Sequence, residues 1–233
     1  MKTDALNILL PTDFSDNAWS ALVYALKLYA NDYCKFYFIH SNFITDPGSR
    51  TYITTHYVDK QRKLSEEKLL ELKVQTELAN ANANHSFEIL LSDDELKNAV
   101  EKAVEAYSVD MIVMGTKGTT DAIEYIMGSN TIKVIRKVKN CPVLIVPDEH
   151  EFVQPKQIAF PTDFTRRYDD KELKPLKDIS DLYNSKIRIV HINEDKKLTD
   201  VQENNMSMLD DHLVNHEHSL HWVPDYTTKS KAI

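Results

Sequence analysis

The sequence predicts an α/β protein: a doubly wound, parallel five-stranded sheet with helices on both faces, followed by a partial second copy. Apolar segments of strand length alternate with longer segments whose apolar residues recur at helical spacing. The predicted strands are almost continuously apolar, which is typical of a parallel sheet that is covered on both faces. A ligand of such a sheet binds beyond the carboxyl ends of the strands, where the strand order reverses.

The first predicted strand, Leu6–Pro11, ends in the turn Pro11-Thr12-Asp13. Ser15 is a predicted helix N-cap, because its hydroxyl can accept a hydrogen bond from a free backbone N–H of the helix that follows. Apolar residues at helical spacing mark the buried side of this helix: Trp19, Leu22, Val23, Leu26 and Ala30.

Two more strands and a long helix follow. The second strand is predicted over residues 35–40, is rich in aromatic residues and ends at His40-Ser41. After a polar stretch that contains Pro47 and Gly48, a helix is predicted from about Tyr57 to Asn80. The third strand is predicted over residues 86–91.

The remaining predicted elements of the first copy surround a glycine-rich segment. An amphipathic helix covers residues 96–107, and an apolar strand then ends at Gly115. The glycine-rich segment runs from Gly115 to Ser129. A helix with one apolar face begins behind it, and the last strand covers residues 142–147.

The protein has only four glycines, and Gly115, Gly118 and Gly128 all lie in this segment. A chain so poor in glycine uses one where the backbone needs a positive φ or where a ligand must approach the main chain. A glycine loop between a strand and a helix N-terminus also offers free N–H groups and the positive end of the helix dipole, so we predict an anion site. The alternative is that the glycines only end the strand and form its turn. The spacing Gly-x2-Gly-x9-Gly-Ser excludes a P-loop and a dinucleotide fingerprint.

The beginning of the chain is repeated. Residues 8–15 recur as residues 158–165, with a second Pro-Thr-Asp-Phe, and Phe38-Ile-His40 recurs as Ile189-Val-His191. We therefore predict a first domain over residues 1–148, a linker over 149–155 and an incomplete second domain over 156–233. No glycine follows Gly128, so Asp163 has no phosphate loop opposite it and the second copy is not expected to bind a nucleotide as the first does. A truncated tandem protein and a natural short second domain both fit this pattern.

Composition limits the class of protein. A net charge of −8 argues against a nucleic-acid-binding surface, and the longest apolar runs are too short to cross a membrane. The N-terminus does not resemble a signal peptide. Cys34 and Cys141 are isolated in apolar stretches, as buried free thiols are in a reducing compartment. A cytoplasmic location is therefore expected.

Four motifs together resemble the universal stress protein family: Pro11–Ser15, Met114–Gly118, Gly128–Thr131 and Cys141–Pro147. The resemblance covers about residues 4–148, and the second copy resembles only the front half of the family. It implies a sheet of strand order 3-2-1-4-5, the adenine-nucleotide alpha-hydrolase-like fold, and a site for ATP, ADP or AMP, with or without Mg²⁺.

The resemblance also implies roles for individual residues. Asp13 would hold the adenosine end of the nucleotide, and Ser41 or its neighbour His40 would offer a main-chain contact to adenine. The glycine loop would take the phosphates, with Asn130 standing where the family usually has valine. The predicted binding residues are Pro11, Thr12, Asp13, Ser41, Met114, Gly115, Thr116, Gly118, Gly128, Ser129, Asn130 and Thr131.

Several of these residues have simpler interpretations. Asp13 can serve the turn alone, and the repeated Asp163 favours that interpretation. Ser129 can act as a helix N-cap, which is compatible with phosphate binding. Lys117 either adds a charge to a phosphate or is a solvated loop lysine.

We expect a regulatory, adenine-nucleotide-binding protein of the stress response that is not an enzyme, or at most a slow ATPase. Asp13 would lie at the nucleoside end, so it is badly placed to activate a water for attack on a γ-phosphate. Asp121 and Glu124 are explained more simply as solvent-exposed residues. The second hypothesis is a structural or protein-interaction module of the same fold that binds no nucleotide. Pairing through an exposed apolar strand, residues 143–146, predicts a homodimer.

A metal site is the weakest hypothesis. His212 and His216 are four residues apart and would share a helical face near His218 and His221, but no further ligand completes a known spacing. We therefore predict no metal ligands.

Overall fold

The computed structural model describes residues 5–44, 54–116, 128–148, 150–192 and 197–223. The chain divides into two compact units, Met1–Phe152 and Val153–Ile233. The boundary falls within the predicted linker, although the rings of His150 and Phe152 still lie against Tyr24 of the first unit.

The first unit alternates strands and helices. Its strands are β1 (Leu6–Pro11), β2 (Cys34–Ser41), β3 (His85–Ser92), β4 (Met111–Gly115) and β5 (Val143–Val146). Its helices are α1 (Asp16–Leu28), α2 (Thr55–Ala79), α3 (Leu96–Ala106) and α4 (Ser129–Lys137).

The five strands form one parallel sheet in the order β3-β2-β1-β4-β5, so the predicted fold class is confirmed. Pro11 at the end of β1 pairs in register with Ile39 of β2, and Gly115 at the end of β4 pairs with Val146 of β5. The chain moves from β1 to β2 on one side and returns to β4 on the other. The carboxyl ends of β1 and β4 therefore flank the point where the strand order reverses, which is where such sheets bind ligands.

Helices cover both faces of the sheet. Alternate strand residues Leu9, Tyr37, Ile39, Ile112 and Met114 form one buried cluster with apolar residues of α3 and α4. Because successive residues of a strand point to opposite faces, Ile8 and Phe36 belong to the other face, where α1 and α2 pack. Burial on both faces explains why the central strands β1 and β4 are almost continuously apolar.

Helix starts follow local capping. The Ser15 hydroxyl caps α1 by accepting a hydrogen bond from the Ala18 N–H, as predicted. α2 begins at Thr55, earlier than predicted, because Thr54 caps it through the Tyr57 N–H. The N-cap of α4 is Gly128, without a side-chain hydrogen bond, so Ser129 is the first helical residue and the interpretation of Ser129 as an N-cap is wrong.

The second unit has a smaller sheet. Its strands β6 (Gln157–Pro161), β7 (Lys186–Ile192) and β8 (His218–Val223) form a parallel sheet in that order. Helices α5 (Asp170–Tyr183) and α6 (Asp200–His212) pack on one face of it through a cluster that includes Phe164, Leu173 and Leu209.

The opposite face of the small sheet differs from its counterpart in the first unit. By repeat and register, Ala159, Arg188 and His221 stand where the first unit has Leu9, Tyr37 and Leu90. The Arg188 guanidinium donates hydrogen bonds to Gln157 Oε1 at 3.0 Å and to Ser219 Oγ at 2.7 Å. This face is therefore polar and hydrogen-bonded within the sheet. Within the described ranges, no helix is both long and apolar enough to cross a membrane.

Candidate functional site

The turn after β1 is held by its own side chains. The Thr12 hydroxyl accepts a hydrogen bond from the Phe14 N–H at 3.0 Å. Asp13 Oδ1 accepts two from Ser15, from the backbone N–H at 3.1 Å and from the hydroxyl at 2.5 Å. Asp13 is exposed, and its Oδ2 atom has no partner among the described residues. The carboxylate therefore shapes the turn with one oxygen and keeps the other available.

Backbone conformation and a histidine fix the same turn. Phe14 has a φ of 64°, in the left-handed region that residues other than glycine seldom adopt. His40, near the end of β2, contacts the Thr12 carbonyl oxygen through Nδ1 at 2.8 Å, and its ring centroid lies 4.6 Å from that of Phe14. Side-chain contacts thus join the ends of β1 and β2 at the carboxyl end of the sheet, where a ligand would bind.

Gly115 lies against the first turn of α1. A Cβ atom at this position would be 2.4 Å from Asn17 Oδ1 and 2.7 Å from the Asn17 carbonyl oxygen. Gly115 has no positive φ. A close approach of α1 therefore explains this glycine, and it brings the helix that follows Asp13 onto the end of β4. The sequence did not indicate that Asn17 belongs to the site.

Gly128 has no comparable structural reason to be glycine. Its φ is −55°, which any residue can adopt, and the nearest heavy atom to an added Cβ is Thr131 Oγ1 at 3.7 Å. It precedes a helix whose first turn has no side-chain cap and no acidic residue. The backbone N–H groups of exposed Ser129 and Asn130 therefore have no described side-chain acceptor.

The end of β4 and the start of α4 are in direct contact. Thr131 is buried, and its hydroxyl donates a hydrogen bond to the Gly115 carbonyl oxygen at 3.1 Å. The Thr116 N–H continues the sheet by donating to the Val146 carbonyl oxygen at 3.0 Å. The residues that begin and end the predicted phosphate loop, Gly115 and Thr131, therefore meet at the carboxyl end of the sheet.

Two buried polar atoms in this region lack a partner. Thr116 is 3 % exposed, and its hydroxyl makes no hydrogen bond within the described residues; the same holds for Asn17 Oδ1. A buried polar atom without a partner is costly in a folded protein unless water or a ligand completes it. The hydroxyl and the amide oxygen both adjoin Gly115.

The remaining predicted residues have mixed positions. Ser41 ends β2, where its hydroxyl donates to the Asp94 carbonyl oxygen at 2.7 Å, so only its backbone is available to a ligand. The Met114 side chain is part of the buried core, and Pro11 is the buried last residue of β1. Gly118, together with Lys117, Asp121 and Glu124, lies outside the described residues.

A groove of about 400 Å³ adjoins the turn on the side of α1 and α2. Its lining includes Thr12, Phe14, Trp19 and Lys68, and the Lys68 ammonium lies 5.5 Å from the centroid of the Phe14 ring. The sequence places Trp19 on the apolar side of a helix, yet it is 38 % exposed. A groove lined by both α1 and α2 is a tertiary feature that helical spacing does not show.

The second unit repeats the turn. Thr162 Oγ1 accepts from the Phe164 N–H at 3.1 Å, and Asp163 Oδ1 accepts from the Thr165 N–H at 3.0 Å. Phe164 has a φ of 56°, and His191 Nδ1 contacts the Thr162 carbonyl oxygen at 2.9 Å. Within the described part of this unit no glycine loop faces the turn. The turn therefore forms without a nucleotide loop.

The histidines of the second unit do not form a metal site within the described residues. α6 ends at His212, so His216 does not share its helical face and that expectation is wrong. Each histidine instead contacts a different group. His212 contacts Asp170 at 3.1 Å, His216 contacts Asp181 at 3.2 Å and His218 contacts Asp210 at 2.8 Å, whereas His221 lies 2.9 Å from Ser219 Oγ.

Comparison with known proteins agrees with this fold. The model of the universal stress protein family matches residues 6–147. A universal stress protein from Archaeoglobus fulgidus superposes with a TM-score of 0.67 at 20 % identity, over 94 % of this chain and 77 % of that one. A putative universal stress protein from Pseudomonas aeruginosa superposes with a TM-score of 0.55 at 13 % identity, over 95 % and 75 %. Comparison with curated proteins finds no match.

Proposed function

Because the chain belongs to the universal stress protein family, we propose that its first unit binds an adenine nucleotide, ATP or its products, and acts as a regulatory module in a stress response. The observation that carries this proposal is Gly128 at the uncapped start of α4. Neither its φ nor its surroundings require a glycine. A ligand that must reach the backbone N–H groups of the next residues does require one.

The phosphates would bind at Gly128, Ser129 and Asn130, where the helix dipole and free N–H groups favour negative charge. The Thr116 hydroxyl would also hydrogen-bond to a phosphate, because it is buried, adjoins Gly115 and lacks a partner among the described residues. The first turn of α4 has no acidic residue. A Mg²⁺ ion would therefore arrive with the phosphates rather than be held by carboxylates of that turn.

The nucleoside end would lie at the turn after β1. Asp13 Oδ1 accepts the hydrogen bonds that hold the turn, while Oδ2 remains available. The same carboxylate can therefore stabilise the turn and contact the nucleoside. The main chain at Ser41 would contact the base. We propose binding with at most slow hydrolysis, since the first turn of α4 carries no acidic residue to orient a water for attack on a γ-phosphate.

A second candidate, an interaction module that binds no nucleotide, is favoured by one observation. The second unit builds the same Thr-Asp-Phe turn where no glycine loop is described, so this turn alone is not evidence of a nucleotide site. The two candidate functions are therefore distinguished at the start of α4: the first requires a nucleotide to bind there, and the second does not.

The test combines nucleotide content with one substitution. Purified protein is denatured and its supernatant is separated on an anion-exchange column, and ATP binding to the empty protein is measured by calorimetry. Gly128→Val should weaken ATP binding at least about tenfold while the circular dichroism spectrum is unchanged. An empty wild-type protein that also fails to bind added ATP would favour the interaction module.

We also propose a homodimer through β5. This strand lies at the edge of the first sheet, and exposed strand edges pair with other chains. Light scattering should give twice the mass of the 26.9 kDa chain. A monomeric mass would contradict pairing through β5.

A further inference from the structure

Asn17 lies between the two ends of the proposed nucleotide site. It is in the first turn of α1, and the cap of that helix, Ser15, donates two hydrogen bonds to Asp13 Oδ1. On its other side Asn17 contacts the end of β4, since a Cβ atom on Gly115 would be 2.4 Å from Asn17 Oδ1 and 2.7 Å from Asn17 Cγ. The Gly115 carbonyl oxygen accepts a hydrogen bond from Thr131 in the first turn of α4. The Asn17 side chain therefore links the turn after β1 to the start of α4.

Gly115 is the residue that admits the Asn17 carboxamide to this position. Its φ is not positive, so the backbone conformation does not require a glycine. A larger residue would displace both the side chain and the backbone of Asn17 from the end of β4. One of only four glycines in the chain is thus placed where it lets a polar side chain approach the strand end.

The Asn17 Oδ1 atom lacks a hydrogen-bond donor. It is buried, and no residue that the structure describes donates to it. A carboxamide oxygen can only accept hydrogen bonds, and a buried acceptor without a donor destabilises the fold. A water molecule or a donor group of a bound ligand therefore completes this atom.

A nucleotide offers such a donor in the middle of its length. Phosphate oxygens are acceptors at neutral pH, whereas each ribose hydroxyl group is both a donor and an acceptor. The ribose joins the base to the phosphates. With the adenosine end at Asp13 and the phosphates at Gly128, the ribose is the part of the ligand that would lie beside Gly115 and Asn17.

The second unit does not repeat this arrangement. At the offset of 150 residues that relates the two copies, Arg167 stands where the first unit has Asn17, and Arg167 is exposed. No glycine follows Gly128 in the sequence. The Thr-Asp-Phe turn is common to both units, but the carboxamide and the glycine that admits it occur only in the unit with the phosphate loop. The role of Asn17 is therefore tied to that loop rather than to the turn.

We propose that Asn17 is a further nucleotide-binding residue, whose Oδ1 atom accepts a hydrogen bond from a ribose hydroxyl group and so selects ribonucleotides over deoxyribonucleotides. This inference rests on the proposed function of the first unit. A ribose hydroxyl satisfies the buried oxygen, whereas a deoxy analogue leaves it without a donor. A site built to hydrogen-bond a ligand hydroxyl rejects the analogue that lacks it. Asn17 thus determines specificity and has no catalytic role.

The test compares ATP with its 2′-deoxy and 3′-deoxy analogues by calorimetric titration of the full chain. The wild type should bind ATP at least about tenfold more tightly than one of the two analogues. Asn17→Ala should bind ATP about tenfold more weakly and should lose the preference over that analogue. Asn7→Ala is the matched control, because Asn7 is also half-buried but lies at the amino end of β1. The control should keep the wild-type preference.

Asn17→Asp separates the hydrogen bond from packing. The carboxylate has nearly the same size and keeps an acceptor oxygen, so the preference for ATP over the deoxy analogue should remain. The affinity for all three nucleotides should fall, because the added negative charge repels their phosphates. A packing role alone would instead lower the affinity for the three nucleotides by equal factors in both variants, and that result would overturn the assignment.

The outcomes also separate this inference from the proposed function. A wild type that binds ATP and both analogues equally, or an Asn17→Ala variant that keeps the wild-type preference, would overturn the role of Asn17 and leave nucleotide binding intact. A wild type that binds none of the three nucleotides would overturn the proposed function and this inference together.

Discussion

The hydroxyl of Thr131 donates a hydrogen bond to the carbonyl oxygen of Gly115 at 3.1 Å. The two residues are 16 positions apart and enclose the predicted phosphate loop. This bond fixes the first turn of α4 against the end of β4, so the geometry of the N–H groups at the helix start depends on it. A disturbance at Thr131 should therefore affect both stability and nucleotide binding.

We expect Thr131→Val to destabilise the first unit by about 1 kcal/mol, since one buried hydrogen bond is lost in a nearly isosteric change. Nucleotide affinity should fall as well. Thr131→Ser keeps the hydroxyl and is the control. Urea unfolding in a Trp222→Phe background, where Trp19 alone reports on the first unit, checks this expectation. A Val variant that is as stable as the wild type would show that the bond contributes nothing.

Gly115 and Gly128 should respond differently to the same substitution. Gly115→Ala places a Cβ 2.7 Å from the Asn17 carbonyl oxygen, a backbone atom that cannot rotate away. We expect a loss of about 1–3 kcal/mol of stability from overpacking. Gly128→Ala is the matched control, because its nearest contact would be 3.7 Å, an ordinary distance. Thermal unfolding of both variants tests the contrast, and equal melting temperatures would contradict it.

The sequence was sufficient for the fold and only partly for the site. Strand and helix periodicity, with the resemblance to a family, predicted the sheet order, and Ser15 was identified as a cap because capping is local. The reason for Gly115 was not accessible, since it depends on contact with Asn17, 98 positions earlier. The cap of α4 was misassigned by one residue because two adjacent small residues, Gly128 and Ser129, can both start a helix.

The second unit shows a related limit. Repetition of Pro-Thr-Asp-Phe predicted the same turn, and the hydrogen bonds of Thr162 and Asp163 reproduce those of Thr12 and Asp13. The histidine prediction failed, because spacing of four residues implies a shared helical face only while the helix continues, and α6 ends at His212.

The paired aspartates provide an internal control for nucleotide binding. Asp13→Ala and Asp163→Ala each remove a carboxylate that accepts hydrogen bonds in its own turn, so each should cost about 1 kcal/mol of stability in its unit. Only Asp13→Ala should reduce ATP affinity. Calorimetric titration of both variants decides the matter. Equal affinity for ATP in the two variants would restrict Asp13 to its turn.

Both cysteines should be unreactive in the folded protein. Burial raises the pKa of the Cys34 thiol to about 12, with smaller contributions from Asp32 and Asp110. Burial also raises the pKa of Cys141 to about 12. Because the thiolate is the reactive form, an aromatic disulfide reagent at pH 8 should label neither residue until denaturant is added, and then label both. Rapid labelling of the native protein would contradict this.

His218 should make the stability of the second unit depend on pH. Burial lowers its pKa, but hydrogen bonds to the His216 carbonyl oxygen and to the Asp210 carboxylate outweigh burial, so the pKa is raised above its ordinary value. Nδ1 lies 2.8 Å from the His216 oxygen and Nε2 lies 2.8 Å from Asp210 Oδ1. The folded state therefore binds this proton more tightly than the unfolded state does.

The sign of the effect follows from linkage. The stabilisation by His218 is fully present below the ordinary histidine pKa of about 6.5 and is lost as pH rises through the raised value. Denaturant unfolding, followed by Trp222 fluorescence in a Trp19→Phe background, should show lower stability at pH 8 than at pH 6. His218→Gln cannot titrate and should lose part of this difference. If the variant and the wild type keep the same pH dependence, His218 does not contribute to it.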